Sequence, residues 1–248
     1  MRTCNYAYVT LMSTQDYLPA VLILAESLKK VHSHFPLLVG IVEELYDNNV
    51  ELLKSAGCFV EKIKKLSYNQ ETINKYKDQQ SASVLNTASK ISLFSLKNWE
   101  KLVYIDADTM VLQNVDELFN WPDGSMLQYD GDEGGFTGLM VICPSKHRED
   151  FYECLMQNFP CADGDLLGSL WFHVKTNATY QIPAEYLTHY GEHIETEYLE
   201  PAKWRDIKIL HFCNSPKPWI EPPEEDYSHW YMTSYLNQLQ YVKDKYHI

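Results

Sequence analysis

The most constraining feature of the sequence is an alternation of short apolar strands and amphipathic helices along its N-terminal part. Strands are predicted at residues 6–11, at Leu37–Val42 and from Phe59, with helices between them at 17–31 and 48–56. Strands that alternate with helices pair in parallel through right-handed crossovers. The order therefore predicts an α/β fold whose sheet has a parallel core.

The remainder of the chain continues the same pattern around one polar stretch. Residues 68–83 lack periodicity, and we expect them to form a mobile loop or an irregular helix over a site, with a linker as the alternative. Further strands are predicted at 102–105, 138–143 and 208–212, and further helices at 83–99 and 227–246. A length of 248 residues fits a single domain.

The acidic net charge of the chain limits which ligands it is expected to bind. The chain carries 21 Lys and Arg against 34 Asp and Glu, a formal net charge of −13. Nucleic acids and anionic membrane surfaces require a basic footprint, so neither is an expected partner. Any anionic ligand must instead be held by positive charge that is concentrated locally.

The cysteines and the apolar runs indicate a compartment. The six cysteines form no Cys-x-x-Cys pair, which is typical of a reduced, intracellular protein. No apolar run reaches the length of a membrane span, and the first residues do not resemble a signal peptide. We therefore expect a cytoplasmic protein and interpret the glycosylation pattern at Asn177 as accidental.

Acidic pairs supply the first candidate chemistry. Three Asp-x-Asp pairs occur, at Asp106/Asp108, Asp130/Asp132 and Asp163/Asp165. Only the first follows an apolar strand directly, at the strand end where open α/β sheets bind ligands. Crowded carboxylates repel each other, and a divalent cation is the usual reason to tolerate them. The alternatives are a solvated turn for the first pair, a flexible acidic loop for the second and a helix N-cap for the third.

A basic and an imidazole side chain follow the last predicted strand. His211 stands at the carboxyl end of this strand, where it could be a ligand or a core residue. Lys217 lies between Pro216 and Pro218, so its charge sits on a stiff stem that suits a phosphate. These neighbours favour a functional role for His211.

Together these pieces resemble family-eight retaining glycosyltransferases, in particular the glycogenin and galactinol synthase branch. The matching segments occur in family order and span roughly 6–219: Tyr8-Val-Thr-Leu11, Tyr17, Lys90 in Ala-Ser-Lys-Ile, Tyr104-Ile-Asp-Ala-Asp108, Thr137-Gly-Leu-Met140, Gly164-Asp165 and His211-Phe followed by Lys217-Pro-Trp219. The resemblance implies a single-domain GT-A fold, with a nucleotide-binding mixed sheet over 1–219. We expect 220–248 to be a C-terminal helical extension packed on the same domain.

The resemblance also implies a site for Mn²⁺ and a UDP-sugar. Asp106, Asp108 and His211 would bind the metal, and an imidazole beside carboxylates suits Mn²⁺ better than Mg²⁺, the alternative. The nucleotide and donor contacts would come from Leu11, Ser13, Tyr17, Lys90, Asp106, Ala107, Asp108, Thr137, Gly138 and Lys217. Asp163, Asp165 and Lys90 would act at the reaction centre, with the two aspartates holding sugar hydroxyls.

Three positions depart from the family pattern. Phe136 stands where Asn is usual. Where Asp-Gln is usual, the sequence has Asp165-Leu166 or, in another register, Asp163-Gly164. Asn214 replaces a glycine. The first two fall at the donor sugar. They leave open a UDP-sugar-binding protein without turnover as the alternative to an enzyme.

The sequence thus predicts a Mn²⁺-dependent retaining transferase that moves glucose or galactose from UDP to a hydroxyl acceptor. A nucleotidyltransferase is disfavoured because no glycine-rich loop follows the first strand. The acceptor is left as a carbohydrate, a polyol or a protein, and a homodimer is left open. Self-glycosylation at Tyr198, in the manner of glycogenin, is a further alternative.

Overall fold

The structure is a computed structural model that describes residues 5–77, 82–128, 135–171, 177–189, 207–213, 216–221 and 230–248. Its strands are β1 (Tyr6–Met12), β2 (Leu37–Val42), β3 (Phe59–Ile63), β4 (Lys101–Ile105), β5 (Thr109–Val111), β6 (Met126–Gln128), β7 (Gly135–Ile142), β8 (Gln181–Ile182), β9 (Leu187–His189) and β10 (Ile209–His211). Its α-helices are α1 (Leu18–Lys30), α2 (Glu43–Ser55), α3 (Gln70–Tyr76), α4 (Glu149–Asn158), α5 (Asp163–Leu170) and α6 (Trp230–Tyr246), and a 3₁₀ segment covers Ala82–Ser95.

A seven-stranded mixed sheet forms the centre of the molecule, in the order β3-β2-β1-β4-β7-β6-β8. The neighbours β3, β2, β1 and β4 all pair in parallel, as the alternation predicts. Strand β7 runs antiparallel to β4 and makes the sheet mixed. Strand β2 is buried along its whole length, as expected for a strand covered by helices on both faces.

Two apolar clusters cover the two faces of this sheet. One contains α1 and α6, and the other contains the 3₁₀ segment, α4 and α5. Within β4, Val103 and Ile105 belong to the first cluster, while Leu102 and Tyr104 belong to the second. This alternation follows from the two-residue period of a strand.

A second sheet, of three strands in the order β5-β10-β9, lies beyond the end of β4. Strand β10 pairs antiparallel with β5, which places His211 opposite Thr109. The chain leaves β4 through Asp106-Ala-Asp108 and enters β5 at once. The short second sheet therefore brings the end of the last strand to the carboxyl end of β4.

Helix boundaries differ most from the predicted ones in polar sequence. Helix α2 begins at Glu43, five residues before the predicted start, with Glu43 and Glu44 in its first turn. Acidic side chains stabilise a helix N-terminus, a signal that apolar periodicity does not contain. The polar stretch contains α3, where the Asn69 side chain accepts a hydrogen bond from the Thr72 amide at 2.8 Å.

Besides its apolar contacts in the cluster that contains α1, helix α6 is bound to α1 by one acidic side chain. Glu26 accepts hydrogen bonds from the Tyr246 hydroxyl at 2.7 Å and from Lys245 at 3.0 Å. The boundary near residue 220 between a domain and an extension stays a prediction. Among the helices of the described ranges, none combines the length and the apolar composition needed to cross a bilayer.

Candidate metal and nucleotide site

Three predicted ligands converge at the carboxyl end of β4. Asp106, Asp108 and His211 each offer one ligand atom, and these atoms lie within 4.8 Å of one another. Asp106 leaves β4, Asp108 lies between β4 and β5, and His211 ends β10. The cluster is therefore assembled by the main sheet and the second sheet together.

Backbone hydrogen bonds hold the segments that carry these ligands. The Asp106 amide donates to the Gly138 carbonyl at 3.0 Å, and the Phe212 amide donates to the Asp108 carbonyl at 2.8 Å. The Thr109 hydroxyl also donates to the Asp106 carbonyl at 2.8 Å. Because these hydrogen bonds fix the backbone, the side chains on it need little rearrangement to bind an ion or a substrate.

Asp108 is the most strongly compensated carboxylate of the cluster. Its Oδ1 lies 3.1 Å from His211 Nε2, and its Oδ2 accepts a hydrogen bond from Lys217 Nζ at 2.7 Å. Burial by itself would raise the pKa of Asp108, but His211 and Lys217 outweigh burial and hold this pKa well below its usual range. The carboxylate is therefore ionised at neutral pH.

Lys217 is fixed by the segment on which it lies. Its ammonium group also donates to the carbonyl oxygens of Phe212 at 2.7 Å and Cys213 at 3.0 Å. The residue is buried, with 6% of its surface exposed. A buried ammonium beside a candidate metal cluster is the local positive charge that an anionic ligand of this acidic protein requires.

The two carboxylate oxygens of Asp106 face different groups. Oδ1 accepts a hydrogen bond from the Tyr104 hydroxyl at 2.6 Å and lies 3.4 Å from Lys90 Nζ. Oδ2 lies 3.7 Å from His211 Nε2. Asp106 thus joins the metal cluster to a second polar cluster on the other side.

This second cluster is centred on a buried ion pair between Lys90 and Asp163. Lys90 Nζ lies 2.9 Å from Asp163 Oδ2, and only 3% of the Lys90 side chain is exposed. Burial would lower the pKa of Lys90, but the charges of Asp106 and Asp163 outweigh it and raise this pKa. The pair is therefore ionised on both sides.

Asp163 is saturated with hydrogen bonds. Its Oδ1 accepts from the hydroxyls of Thr87 at 2.6 Å and Tyr68 at 3.2 Å, and its Oδ2 from the Thr137 hydroxyl at 2.7 Å and from Lys90. Burial acts to raise the pKa of Asp163, but Lys90 and these hydroxyls lower it. Its carboxylate is already fully occupied by protein donors.

Asp165, predicted beside Asp163, does not join this cluster. Asp165 is exposed, and one of its oxygens lies 3.4 Å from the Ala162 amide. Both aspartates are in the first turn of α5. Because successive helical residues turn by about 100°, side chains two positions apart leave the helix on nearly opposite sides.

Phe136 and Gly138 line the metal cluster from β7. The Phe136 ring centre lies 5.5 Å from that of His211. A Cβ atom at Gly138 would collide with the Phe136 ring and would lie 2.8 Å from Asp106 Oδ2. Glycine is therefore required at 138 for the Phe136 ring to lie beside the metal ligands.

Of the predicted nucleoside contacts, Tyr17 lies close enough to Asp108 and Asp106 for their charges to act on it. Leu11 is buried near the end of β1, and Ser13 follows that strand. The Tyr17 ring meets the Trp219 ring edge to face at 5.2 Å. Burial, followed by the charges of Asp108 and Asp106, raises the pKa of Tyr17.

The remaining residues are a predicted one, three that were not predicted as site residues, and four that lie outside the described ranges. Ala107 is buried between the two aspartates. The sequence did not indicate Tyr68 and Thr87, since no local pattern marks them, whereas Tyr104 could have been found from its place two residues before Asp106 on a strand. Asp130, Asp132, Tyr198 and Asn214 lie outside the described residues.

The donor set fits a divalent cation. Two carboxylates and one imidazole converge from three backbone positions that hydrogen bonds tie together. Such a mixed oxygen and nitrogen set is typical of first-row transition metals. Asp106, Asp108 and His211 are the residues that would hold it.

Comparison with known proteins identifies relatives over most of the chain. Residues 8–129 match the model of glycosyl transferase family 8. Galactinol synthase 4 of Arabidopsis thaliana is 27% identical over 268 aligned positions, covering 88% of this chain and 75% of that protein. Glycogenin of Neurospora crassa is 29% identical, covering 86% of this chain and 31% of that protein. Galactinol synthase 1 of Ajuga reptans is 36% identical over 118 residues, 47% of this chain, and the match spans about a third of that relative (34%).

Solved structures share the fold. The galactosyltransferase LgtC, in complex with donor and acceptor sugar analogs, superposes with a TM-score of 0.61 at 13% identity and covers 94% of this chain and 95% of its own. The glycosyltransferase GlyE of Streptococcus pneumoniae TIGR4 has a TM-score of 0.60 at 16% identity, covering 96% of this chain and 64% of its own. The fold is thus that of the GT-A glycosyltransferases, and the family match over residues 8–129, together with the relatives along the chain, supports a family-8 glycosyltransferase.

Proposed function

We propose that the protein is a Mn²⁺-dependent, retaining glycosyltransferase that moves glucose or galactose from a UDP-sugar to a hydroxyl acceptor. The observation that carries this proposal is the convergence of Asp106, Asp108 and His211 beside the buried ammonium of Lys217. A nucleoside diphosphate leaves with more negative charge than it has in the donor. Fixed positive charge at that point is the largest single means of stabilising such a transition state.

In this proposal Lys217 receives the diphosphate. Two backbone carbonyls and Asp108 accept the three hydrogen bonds of its ammonium group, and a phosphate oxygen would replace one of these acceptors. A divalent cation bound by the three ligands would supply Lewis-acid stabilisation of the phosphate oxygens. Leu11, Ser13, Tyr17 and Ala107 would contact the nucleoside, with Tyr17 stacking on uracil.

The donor sugar is assigned to the Lys90 side of the site. Lys90, Thr137 and Gly138 would line it, and Lys90 would reach a sugar hydroxyl or the nearer phosphate. Because protein donors saturate Asp163, we assign it a supporting role that keeps Lys90 charged and Thr137 oriented. Asp165 would reach a sugar hydroxyl only from the exposed side of α5.

The direct test is donor turnover. Purified protein is incubated with UDP-glucose or UDP-galactose and Mn²⁺, UDP release is measured, and the anomeric configuration of any product is read by NMR. We expect UDP release that EDTA abolishes and a product with the donor's configuration. A product of inverted configuration would contradict the retaining assignment, and no release with any UDP-sugar would contradict the transferase assignment.

A second candidate function is UDP-sugar binding without turnover. Two observations favour it: all four hydrogen bonds to Asp163 come from the protein, and an apolar ring, Phe136, lies beside the metal ligands. The Asp163 carboxylate has no acceptor position left for a sugar hydroxyl, and the Phe136 ring has no polar group. Calorimetry separates the two candidates, since tight binding of UDP with Mn²⁺ but no transfer or hydrolysis of any donor would favour a binding protein.

The acceptor is proposed only as a hydroxyl compound: a carbohydrate, a polyol or a protein side chain. Intact-mass spectrometry of the protein after incubation with each UDP-sugar tests the protein option. Mass increments of one or more hexoses would indicate self-glycosylation. An unchanged mass together with UDP release would assign the acceptor to a separate molecule or to water.

A further inference from the structure

Tyr235 of helix α6 is a buried polar side chain whose hydroxyl has no hydrogen-bond partner in the described part of the chain. None of its surface is exposed. Buried polar atoms in proteins are hydrogen-bonded in the great majority of cases, and an unsatisfied one costs free energy. A buried unpartnered hydroxyl therefore calls for a functional explanation.

The surroundings of Tyr235 belong to the nucleotide site. Its ring centre lies 4.2 Å from that of Phe212 and 6.4 Å from that of Trp219. These two residues stand on either side of Lys217 in the sequence, and the Phe212 carbonyl accepts a hydrogen bond from Lys217. Helix α6 thus supports the segment that carries the buried ammonium.

The charged and titratable groups near the hydroxyl also belong to that site. Burial, followed by the charges of Asp108 and Tyr17, raises the pKa of Tyr235 well above its usual range. The oxygens of Asp108 take their hydrogen bonds from His211 and Lys217 and not from this hydroxyl. Tyr235 therefore keeps its proton and is a buried hydrogen-bond donor whose nearest titratable groups include Asp108 and Tyr17.

We propose that the Tyr235 hydroxyl donates a hydrogen bond to the diphosphate of the bound nucleotide. This inference rests on the proposed function and extends the site into the C-terminal helix, to which neither the family motifs nor the family model reaches. A phosphate oxygen is a strong acceptor, and hydrogen bonds to charged groups are the strong ones. The role is one of binding, and Tyr235 takes no part in proton transfer.

The experiment compares two tyrosine-to-phenylalanine variants on the same helix. Tyr235→Phe should weaken UDP binding in the presence of Mn²⁺ by about tenfold or more, the effect of losing a hydrogen bond to a charged group. Its melting temperature without nucleotide should stay near or above that of the wild type, because the hydroxyl removed has no protein partner. Tyr246→Phe, which loses a hydrogen bond to Glu26, should do the reverse: it lowers the melting temperature and leaves UDP affinity unchanged.

Calorimetry with UDP and NMR titration with uridine distinguish the outcomes. A loss for UDP without a loss for uridine supports the proposal. Wild-type affinity for UDP in Tyr235→Phe, or an equal loss for uridine and UDP, overturns it while the proposed function stands. A wild-type protein that does not bind UDP with Mn²⁺ overturns the proposed function, and this inference with it.

Discussion

The two polar clusters that meet at Asp106 are built differently. In the metal cluster, Asp106, Asp108 and His211 converge, and the neighbouring Lys217 is held by Asp108 and two backbone carbonyls. In the second cluster, Lys90 pairs with Asp163, whose remaining acceptor positions are filled by protein hydroxyls. The first arrangement concentrates ligand atoms on one point, whereas the second closes on itself. We infer that the first cluster is made to receive a ligand and the second to hold Lys90 and Thr137 in place.

Asp106 belongs to both clusters because its two oxygens are divided between them. Oδ1 faces Tyr104 and Lys90, and Oδ2 faces His211. Removing a contact of one oxygen should therefore change the position of the carboxylate and weaken the contacts of the other oxygen. The following predictions test that division, beginning with the largest expected effect.

Asp108→Asn should abolish most activity, because it removes an ionised metal ligand and the partner of Lys217. We expect UDP release to fall by about 10²–10³-fold or more, as when one electrostatic contact of a transition state is lost. The matched control is Asp123→Asn, which disrupts a partly buried contact between an aspartate and a histidine, the one with His147. Equal losses of activity per folded protein in the two variants would contradict a specific role of Asp108 in the reaction.

Lys90→Met should destabilise the protein more than Lys217→Met does. Lys90 compensates two carboxylates, Asp163 and Asp106, and removing one member of a buried ion pair costs about 3–5 kcal/mol. After Lys217→Met, Asp108 still has His211 as a partner. Urea unfolding at neutral pH measures both free energies of unfolding, and equal costs would show that the two clusters are not built differently.

Tyr104→Phe should weaken metal binding although Tyr104 is not a ligand. Its hydroxyl donates to the Asp106 oxygen that faces away from His211, and loss of such an outer contact typically costs about 10–100-fold in metal affinity. Mn²⁺ titration followed by electron paramagnetic resonance gives the affinity directly. Tyr186→Phe, whose hydroxyl contacts Glu117 instead, is the control and should bind Mn²⁺ as the wild type does. An unchanged affinity in Tyr104→Phe would mean that the two sides of Asp106 act independently.

Phe136→Asn should affect the donor sugar and spare the metal. An amide beside Gly138 could donate one hydrogen bond to a sugar hydroxyl. Such a bond is worth about 1 kcal/mol, so turnover of a UDP-hexose should rise roughly fivefold. Comparing UDP release with the Mn²⁺ affinity of the same variant separates the two effects. A large drop in Mn²⁺ affinity would instead show that the Phe136 ring supports His211, 5.5 Å away.

The smallest effect is expected in the acid dependence of stability. The pKa of Asp163 lies below its ordinary value of 3.8 in the folded protein, so the unfolded chain binds more protons in acid. The stability that Asp163 contributes is therefore present above that value and is lost as the pH falls below it. Unfolding free energies of Asp163→Asn should decline less steeply than those of the wild type between pH 5 and 3. Parallel curves would show that other carboxylates govern the acid transition.

Two of the three Asp-x-Asp pairs, Asp106/Asp108 and Asp163/Asp165, show the limit of prediction from local sequence. The first pair was predicted to bind a metal, and the other either to cap a helix or to hold sugar hydroxyls. The structure brings Asp106 and Asp108 together after a strand, whereas Asp163 and Asp165 separate because they begin a helix. The spacing was the same, and the backbone conformation determined the outcome.

The sequence by itself determined the parallel part of the sheet and the family, and it predicted the metal cluster, because these depend on short-range periodicity and on residues that directly follow strands. Only the tertiary structure decided that Asp163 is saturated by Tyr68 and Thr87, 95 and 76 positions away along the chain. It also decided that Tyr235 lies against Phe212 and Trp219. Such contacts depend on how helices pack on the sheet, and a hydroxyl carries no local signal of the partner it will meet.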